Sequence, residues 1–174
     1  VDVEPGRVIY GQWLNNSGGI EADLTVTRLT ETVFLIVTSA ASATRDLAWL
    51  KKNIPEGAHC IATDITASEA VFSIMGPTAR DIMQKISTAD FSNIEFPFGT
   101  AREIEVGMAL ARAHRISYVG ELGWELYIPT EMAAYIFEKI IGLDASLRPK
   151  LCGMHVLDSC RLEKAFRHFG HDIT

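Results

Sequence analysis

Residues 7–29, RVIYGQWLNNSGGIEADLTVTRL, decide the fold class. Two stretches of strand character, 7–14 and 23–29, flank Asn15-Asn16-Ser17-Gly18-Gly19, a run of residues that tolerate the positive φ of a tight reversal. Strands joined in this way run antiparallel. Working outward, 33–38 (VFLIVT) reads as a buried strand. Residues 42–54 predict a helix capped by Ser42, with Leu47, Leu50 and Ile54 on one face and Pro55 and Gly57 past its end. Strands follow at 60–65 and 69–75. Gly76-Pro77 then opens a second helix, with proline at its first position and Ala79, Ile82, Met83 and Ile86 as its apolar stripe. Residues 90–98 are loop-like. Strands at 100–106 and 109–118 lead to a turn bracketed by Gly120 and Gly123, and 124–128 returns. Thr130 caps a helix that turns Ala133, Ile136, Phe137 and Ile140 inward, and a last helix covers about 153–166. Hairpin-linked strands interspersed with helices predict an α+β fold with a mainly antiparallel sheet and packed helices, not a doubly wound one. The middle part, 31–145, has the makings of a ferredoxin-like lobe.

Composition narrows the function. The chain has 174 residues, 48% hydrophobic and 22% charged, with a net charge of −6. Such a chain builds a core and is not a disordered tail. An acidic chain without a basic cluster does not suit a phosphate backbone, so no nucleic-acid partner is expected. The longest apolar run, 33–37, falls far short of the roughly 20 residues that cross a bilayer, so no membrane partner is expected either. Cys60, Cys152 and Cys160 form no C-x-x-C and leave an odd thiol, which favours a reducing compartment: the cytoplasm, or the mitochondrial matrix in a eukaryote. The chain starts at Val1 and stops at Thr174 without a helix stop signal, so a piece of a longer polypeptide is expected. There is no G-x-G-x-x-G after a strand, no Walker lysine motif, no G-x-S-x-G and no H-E-x-x-H. His168 and His171, three apart, could ligate a metal if helical; the plainer reading is an exposed polar end, and no metal site is expected.

Three segments carry candidate chemistry. Asp23 stands three residues after the Gly-Gly-Ile turn, between apolar neighbours that anchor it; it reads either as a turn-capping carboxylate or as an acid held rigidly where a ligand approaches. In Ser117–Pro129 (SYVGELGWELYIP), a short turn at 120–123 would bring Tyr118 and Glu125 within reach of each other across a hairpin. A ring and a carboxylate at one spot can recognise a flat heterocycle; a surface hairpin with a core Trp124 is the simpler alternative. In Gly153–Asp172, Asp158 and Arg161 can pair at i,i+3 on a solvated helix face.

Taken together, VIYGQWLNNSGGIEADLTVTRL (8–29), RISYVGELGWELYIP (115–129) and CGMHVLDSCRLEKAFRHFGHDI (152–173) resemble the folate-binding region of the glycine cleavage T-protein (aminomethyltransferase) superfamily. The resemblance is closest to the T-protein-like part of dimethylglycine and sarcosine dehydrogenases. It implies that Asp23 is the catalytic carboxylate beside the bridging nitrogen of tetrahydrofolate, that Glu125 binds the amino-pyrimidine edge of the pterin, and that Tyr118 and Tyr10 line the folate site. It also implies a partial fold. Residues 1–30 belong to a first folate-binding lobe, 31–145 form the central lobe, 146–174 return to the first, and a C-terminal barrel lobe is missing. Two departures, Leu157 where T-proteins carry Arg and Ser39-Ala40-Ala41-Ser42 where they carry Asn-Ala-x-Asn, favour the dehydrogenase branch. There the one-carbon unit derives from a methylated amine oxidised by a flavin domain, and FAD belongs only to that upstream domain, absent from this chain. The alternatives are an aminomethyltransferase of the glycine cleavage system and a non-catalytic folate-binding or regulatory module.

Overall fold

The computed structural model describes residues 2–174. They form two compact units: 2–66 with His168–Thr174, and Ala67–Arg167. The expected lobe boundaries lie after residues 30 and 145, whereas the units divide after Thr66 and Arg167.

The first unit holds a three-stranded antiparallel sheet of β1 (Val8–Leu14), β2 (Ile20–Arg28) and β3 (Phe34–Thr38) in chain order. The β1–β2 reversal is built by local chemistry. The side-chain oxygen of Asn15 accepts hydrogen bonds from the backbone N–H groups of Ser17 and Gly19, both at 2.9 Å, and Gly18 takes φ +80°. An asparagine that mimics a backbone turn, followed by a glycine free of Cβ strain, is enough to reverse the chain. Along β2, Ala22, Leu24 and Val26 are buried and pack with Trp13 and Ile36. Side chains alternate across a strand, so the same register presents Glu21, Asp23 and Thr25 on the opposite face.

Helix α1 (Ala43–Lys52) follows. Ser42 does not cap it as expected; its hydroxyl donates instead to Asp46 Oδ2 at 2.6 Å. The strand expected at 60–65 is also absent, and this stretch is irregular, with Ile61 91% exposed. Its alternation has no partner strand to bury against. Asp64 turns to its own neighbourhood, accepting from the Thr66 backbone N–H at 2.9 Å and the Thr66 hydroxyl at 2.6 Å, which ends any extended run. Residues 168–174 belong to this unit, where the Arg45 guanidinium lies 5.8 Å from the centre of the Phe169 ring.

The second unit holds a four-stranded sheet in the order β4-β7-β6-β5, every neighbouring pair antiparallel. Its elements run β4 (Glu69–Met75), α2 (Ala79–Ile86), β5 (Ala101–Val106), β6 (Ala109–His114), β7 (Gly123–Pro129), α3 (Ala133–Ile141) and α4 (Met154–Glu163). The strand–helix order is therefore β–α–β–β–β–α before α4, whereas a ferredoxin-like lobe is βαββαβ. Pro77 precedes the cap residue Thr78 and is not the first helical residue. The expected stripe of α2 is fully buried, as are Ile136 and Ile140 of α3. Phe91 and Phe96, from the loop before β5, stack on each other and set their edges against Trp124, with ring centres 5.3 and 6.0 Å away. Both sequence-level expectations here hold: a looped 90–98 and a core Trp124.

One glycine in this unit is costly to replace for two separate reasons. Gly107 closes the β5–β6 turn with φ +63°, and a Cβ there would run into the Tyr135 hydroxyl, which itself accepts from the Met108 N–H at 3.3 Å. Gly107→Ala is expected to destabilise the fold by about 1–3 kcal/mol, the usual cost of a residue forced into the left-handed region. Urea unfolding of the variant checks this; an unchanged midpoint would refute it.

Candidate functional site

Each unit holds a polar cluster of its own, built around one of the carboxylates singled out above. In the first unit, Asp23 stands mid-strand on β2, directly opposite Gln12 on β1. Gln12 Nε2 donates to Asp23 Oδ1 at 3.1 Å and to the Tyr10 hydroxyl oxygen at 3.0 Å. Because a carboxylate and a phenol oxygen can both accept, the amide must turn its NH₂ end toward them. The geometry thus brings Tyr10 and Asp23 to one side of the sheet through Gln12, a residue the sequence reading passed over. Its signal was present: in a two-strand hairpin, the residue facing Asp23 follows from the turn length.

In the second unit the cluster lies on β6 and β7. Glu125 is half-buried and pairs in register with His114 on β6 and Ser73 on β4. The expected Tyr118–Glu125 cross-strand pair is corrected here. Strand β6 ends at His114, so Tyr118 lies in the connection to β7, outside the ladder, where its hydroxyl donates to the Arg167 carbonyl at 3.4 Å. The neighbour that touches Glu125 is Tyr127, two residues on along the same face, whose hydroxyl donates to Glu125 Oε2 at 2.8 Å. The His114 ring packs on Tyr127 with centres 4.3 Å apart. Next along this face, Arg112 pairs with Glu69 at 3.1 Å.

Electrostatics separates the roles. Burial pushes the Glu125 carboxyl above the ordinary glutamate range, and the Tyr127 hydroxyl bond offsets this only in part. Burial, reinforced by the nearby Arg112 charge, pushes His114 down to about 3, so it is neutral at pH 7 and is no counter-ion for Glu125. Burial first, then the Glu125 charge, raises the Tyr127 phenol far above its usual value, so it stays protonated and can only donate to the acid. Glu125 Oε1 makes no hydrogen bond among the described residues. A half-buried carboxylate with one oxygen uncommitted is suited to a ligand edge that offers N–H donors.

The third motif is structural in this unit. Arg161 is 2% exposed and bonds Asp158 Oδ1 and the Phe166 carbonyl, both at 3.1 Å, which ties the end of α4 to the chain that follows. Among the described residues no group of three or more His, Cys, Asp or Glu could hold a metal. Among the described residues no helix is long and apolar enough to cross a membrane.

The whole chain, residues 1–174, matches the family model of the GCVT N-terminal domain. The chain belongs to the GCVT N-terminal domain family. This domain is 39% identical over 173 residues to the 4-methylaminobutanoate oxidase (formaldehyde-forming) of Paenarthrobacter nicotinovorans, covering 99% of this chain and 21% of the oxidase. It is 31% identical over 187 residues to the mitochondrial sarcosine dehydrogenase of Mus musculus, covering 99% of this chain and 20% of that enzyme. The crystal structure of the glycine cleavage system aminomethyltransferase T from Bartonella henselae matches with a TM-score of 0.84 at 30% identity, over 99% of this GCVT domain and 45% of that chain. The domain therefore spans about a fifth of these curated relatives and under half of the aminomethyltransferase.

Proposed function

We propose that these residues are the tetrahydrofolate-binding, one-carbon-transferring part of a larger T-protein-like enzyme of the dimethylglycine or sarcosine dehydrogenase type. The observation that carries this reading is the half-buried Glu125 carboxylate, held by Tyr127 through one oxygen and uncommitted at the other. The adjacent ring N–H and exocyclic amine of a pterin are the pair of donors that such an acceptor fits.

The roles of the remaining residues follow. Tetrahydrofolate, when bound, supplies the amine nitrogens that take up the one-carbon unit. Asp23 orients the bridging nitrogen, stabilises positive charge near it and takes up or returns a proton. Tyr10 and Tyr118 supply ring surface for a flat ligand. Gln12 holds Asp23 in place. The methylated-amine-derived carbon comes from a flavin domain elsewhere in the full-length chain. Relatives named for amine oxidation and dehydrogenation support that branch over the aminomethyltransferase. Free Cys60, Cys152 and Cys160 support a reducing compartment, the cytoplasm or the mitochondrial matrix.

The deciding experiment follows the fate of carbon in the full-length polypeptide turning over sarcosine or dimethylglycine. With tetrahydrofolate present, methylene-tetrahydrofolate should form in place of free formaldehyde. Formaldehyde released in equal amount with and without tetrahydrofolate overturns the reading. In the same assay Gln12→Leu is expected to lower kcat for folate-coupled product about three- to tenfold, the effect of removing one solvent-accessible hydrogen bond to a charged group. A kcat equal to that of the parent enzyme would remove Gln12 from the account.

A further inference from the structure

We propose that Tyr127 is a positioning residue for ligand selection: its hydroxyl aims the Glu125 carboxylate so that the acid discriminates for a heterocycle edge bearing two adjacent N–H donors over one bearing a single donor. This rests on the folate reading above and deepens it.

The argument is geometric. A glutamate side chain has three free torsions, and ordering such a side chain costs up to about 2 kcal/mol of rotamer entropy. An acid that must meet two donors at once has to be held in one plane before the ligand arrives, since preorganisation is what turns contact into affinity. Among the described residues, Glu125 has one hydrogen-bond partner to hold it, the Tyr127 hydroxyl at 2.8 Å. Tyr127 can serve because it is itself fixed. It is 4% exposed, it sits in the β7 ladder between Arg112 on β6 and Val71 on β4, and its ring lies against His114. The charged neighbours Arg112 and Glu69 satisfy each other, and the neutral His114 adds no competing charge. The phenol, held protonated, therefore has a fixed direction of donation, toward Oε2. Oε1 is left to face the ligand, and the second lone pair of Oε2 can take a further donor.

The test uses the full-length polypeptide and calorimetric titration with two probes, tetrahydrofolate and its 2-desamino analogue, which lacks the exocyclic amine. Tyr127→Phe removes only the hydroxyl. It is expected to weaken tetrahydrofolate about tenfold, in line with losing a hydrogen bond to a charged group, and to leave the analogue within twofold of the parent protein. Folate KM should rise by the same factor with kcat little changed. Equal weakening of both probes would mean that Tyr127 merely supports the fold, and unchanged tetrahydrofolate binding would mean that it positions nothing; either overturns the proposal. Should Tyr127→Phe melt early, Tyr127→His offers an N–H donor from a smaller ring and is expected to recover part of the discrimination; none recovered counts against the proposal. Glu125→Ala run alongside separates the two levels. If that variant binds tetrahydrofolate normally, the folate reading itself fails. If it loses binding while Tyr127→Phe does not, only the role of Tyr127 fails.

Discussion

Asp23→Ala in the full-length polypeptide is expected to lower methylene-tetrahydrofolate formation by about 10²–10⁴-fold, the range ascribed to a positioned acid–base group. Amine oxidation belongs to a separate flavin domain in this reading, so the carbon should reappear as free formaldehyde. The expected size rests on how firmly Asp23 is held. Asp23 is mid-strand, its backbone held by pairing with Gln12 and its carboxylate by the Gln12 amide at 3.1 Å. A group held this way reaches one place, and alanine puts nothing there. Asp23→Asn is the sharper variant. It keeps the shape and the partner's position, yet it presents an amide that neither takes up a proton nor carries charge. A loss in Asp23→Asn close to that in Asp23→Ala assigns the effect to the charge. Undiminished folate-coupled product in either variant would show that Asp23 has no part in the chemistry.

Glu125→Ala is the second large effect. It deletes an acceptor expected to meet two donors, each contributing about 1.5–3 kcal/mol when one partner is charged, so tetrahydrofolate affinity should fall about 10²–10⁴-fold. Titration calorimetry reads it directly. The same residue has a signature in stability. Its carboxyl titrates above the ordinary glutamate range in the folded chain, so the native state binds the extra proton and the unfolded chain does not. Stability should therefore fall as pH rises from the ordinary glutamate value through the raised one. Glu125→Gln, which is neutral throughout, should remove that part of the decline. A pH–stability profile for Glu125→Gln that superimposes on the parent's would show that the folded environment does not penalise the charge.

The depressed titration of His114 acts with the opposite sign. Unfolded imidazole takes a proton below about 6.5, whereas the buried ring resists until about 3, so stability is lost as pH falls through that window. The comparison of Glu125→Gln with its parent isolates the glutamate, because His114 is common to both.

How much of this could be read before the structure differs from residue to residue. The 15–19 reversal was legible because its cause is local: Asn15 and Gly18 carry the turn chemistry themselves. The stripe of α2 was legible because helical spacing alone decides which side chains share a face. The false strand at 60–65 shows the limit of alternation. A strand needs a partner, and whether one arrives is not written in the segment itself. Asp64 and Thr66 satisfied each other locally, and no neighbour paired with the stretch.

Asp23 and Glu125 stood out as candidate acids through the resemblance of whole segments to a family, not through their spacing. By itself the amino-acid sequence determined the α+β class and the hairpin that carries Asp23. Each depends on residue type and short-range spacing, which covalent geometry converts directly into structure. Only the tertiary structure decided that Glu125 pairs across the sheet with His114 and not with Tyr118, and with Ser73 on its other side. These partners follow from where β6 stops and from the register of paired strands. Register is set by the burial of whole faces at once, a sum over many residues that no single motif contains.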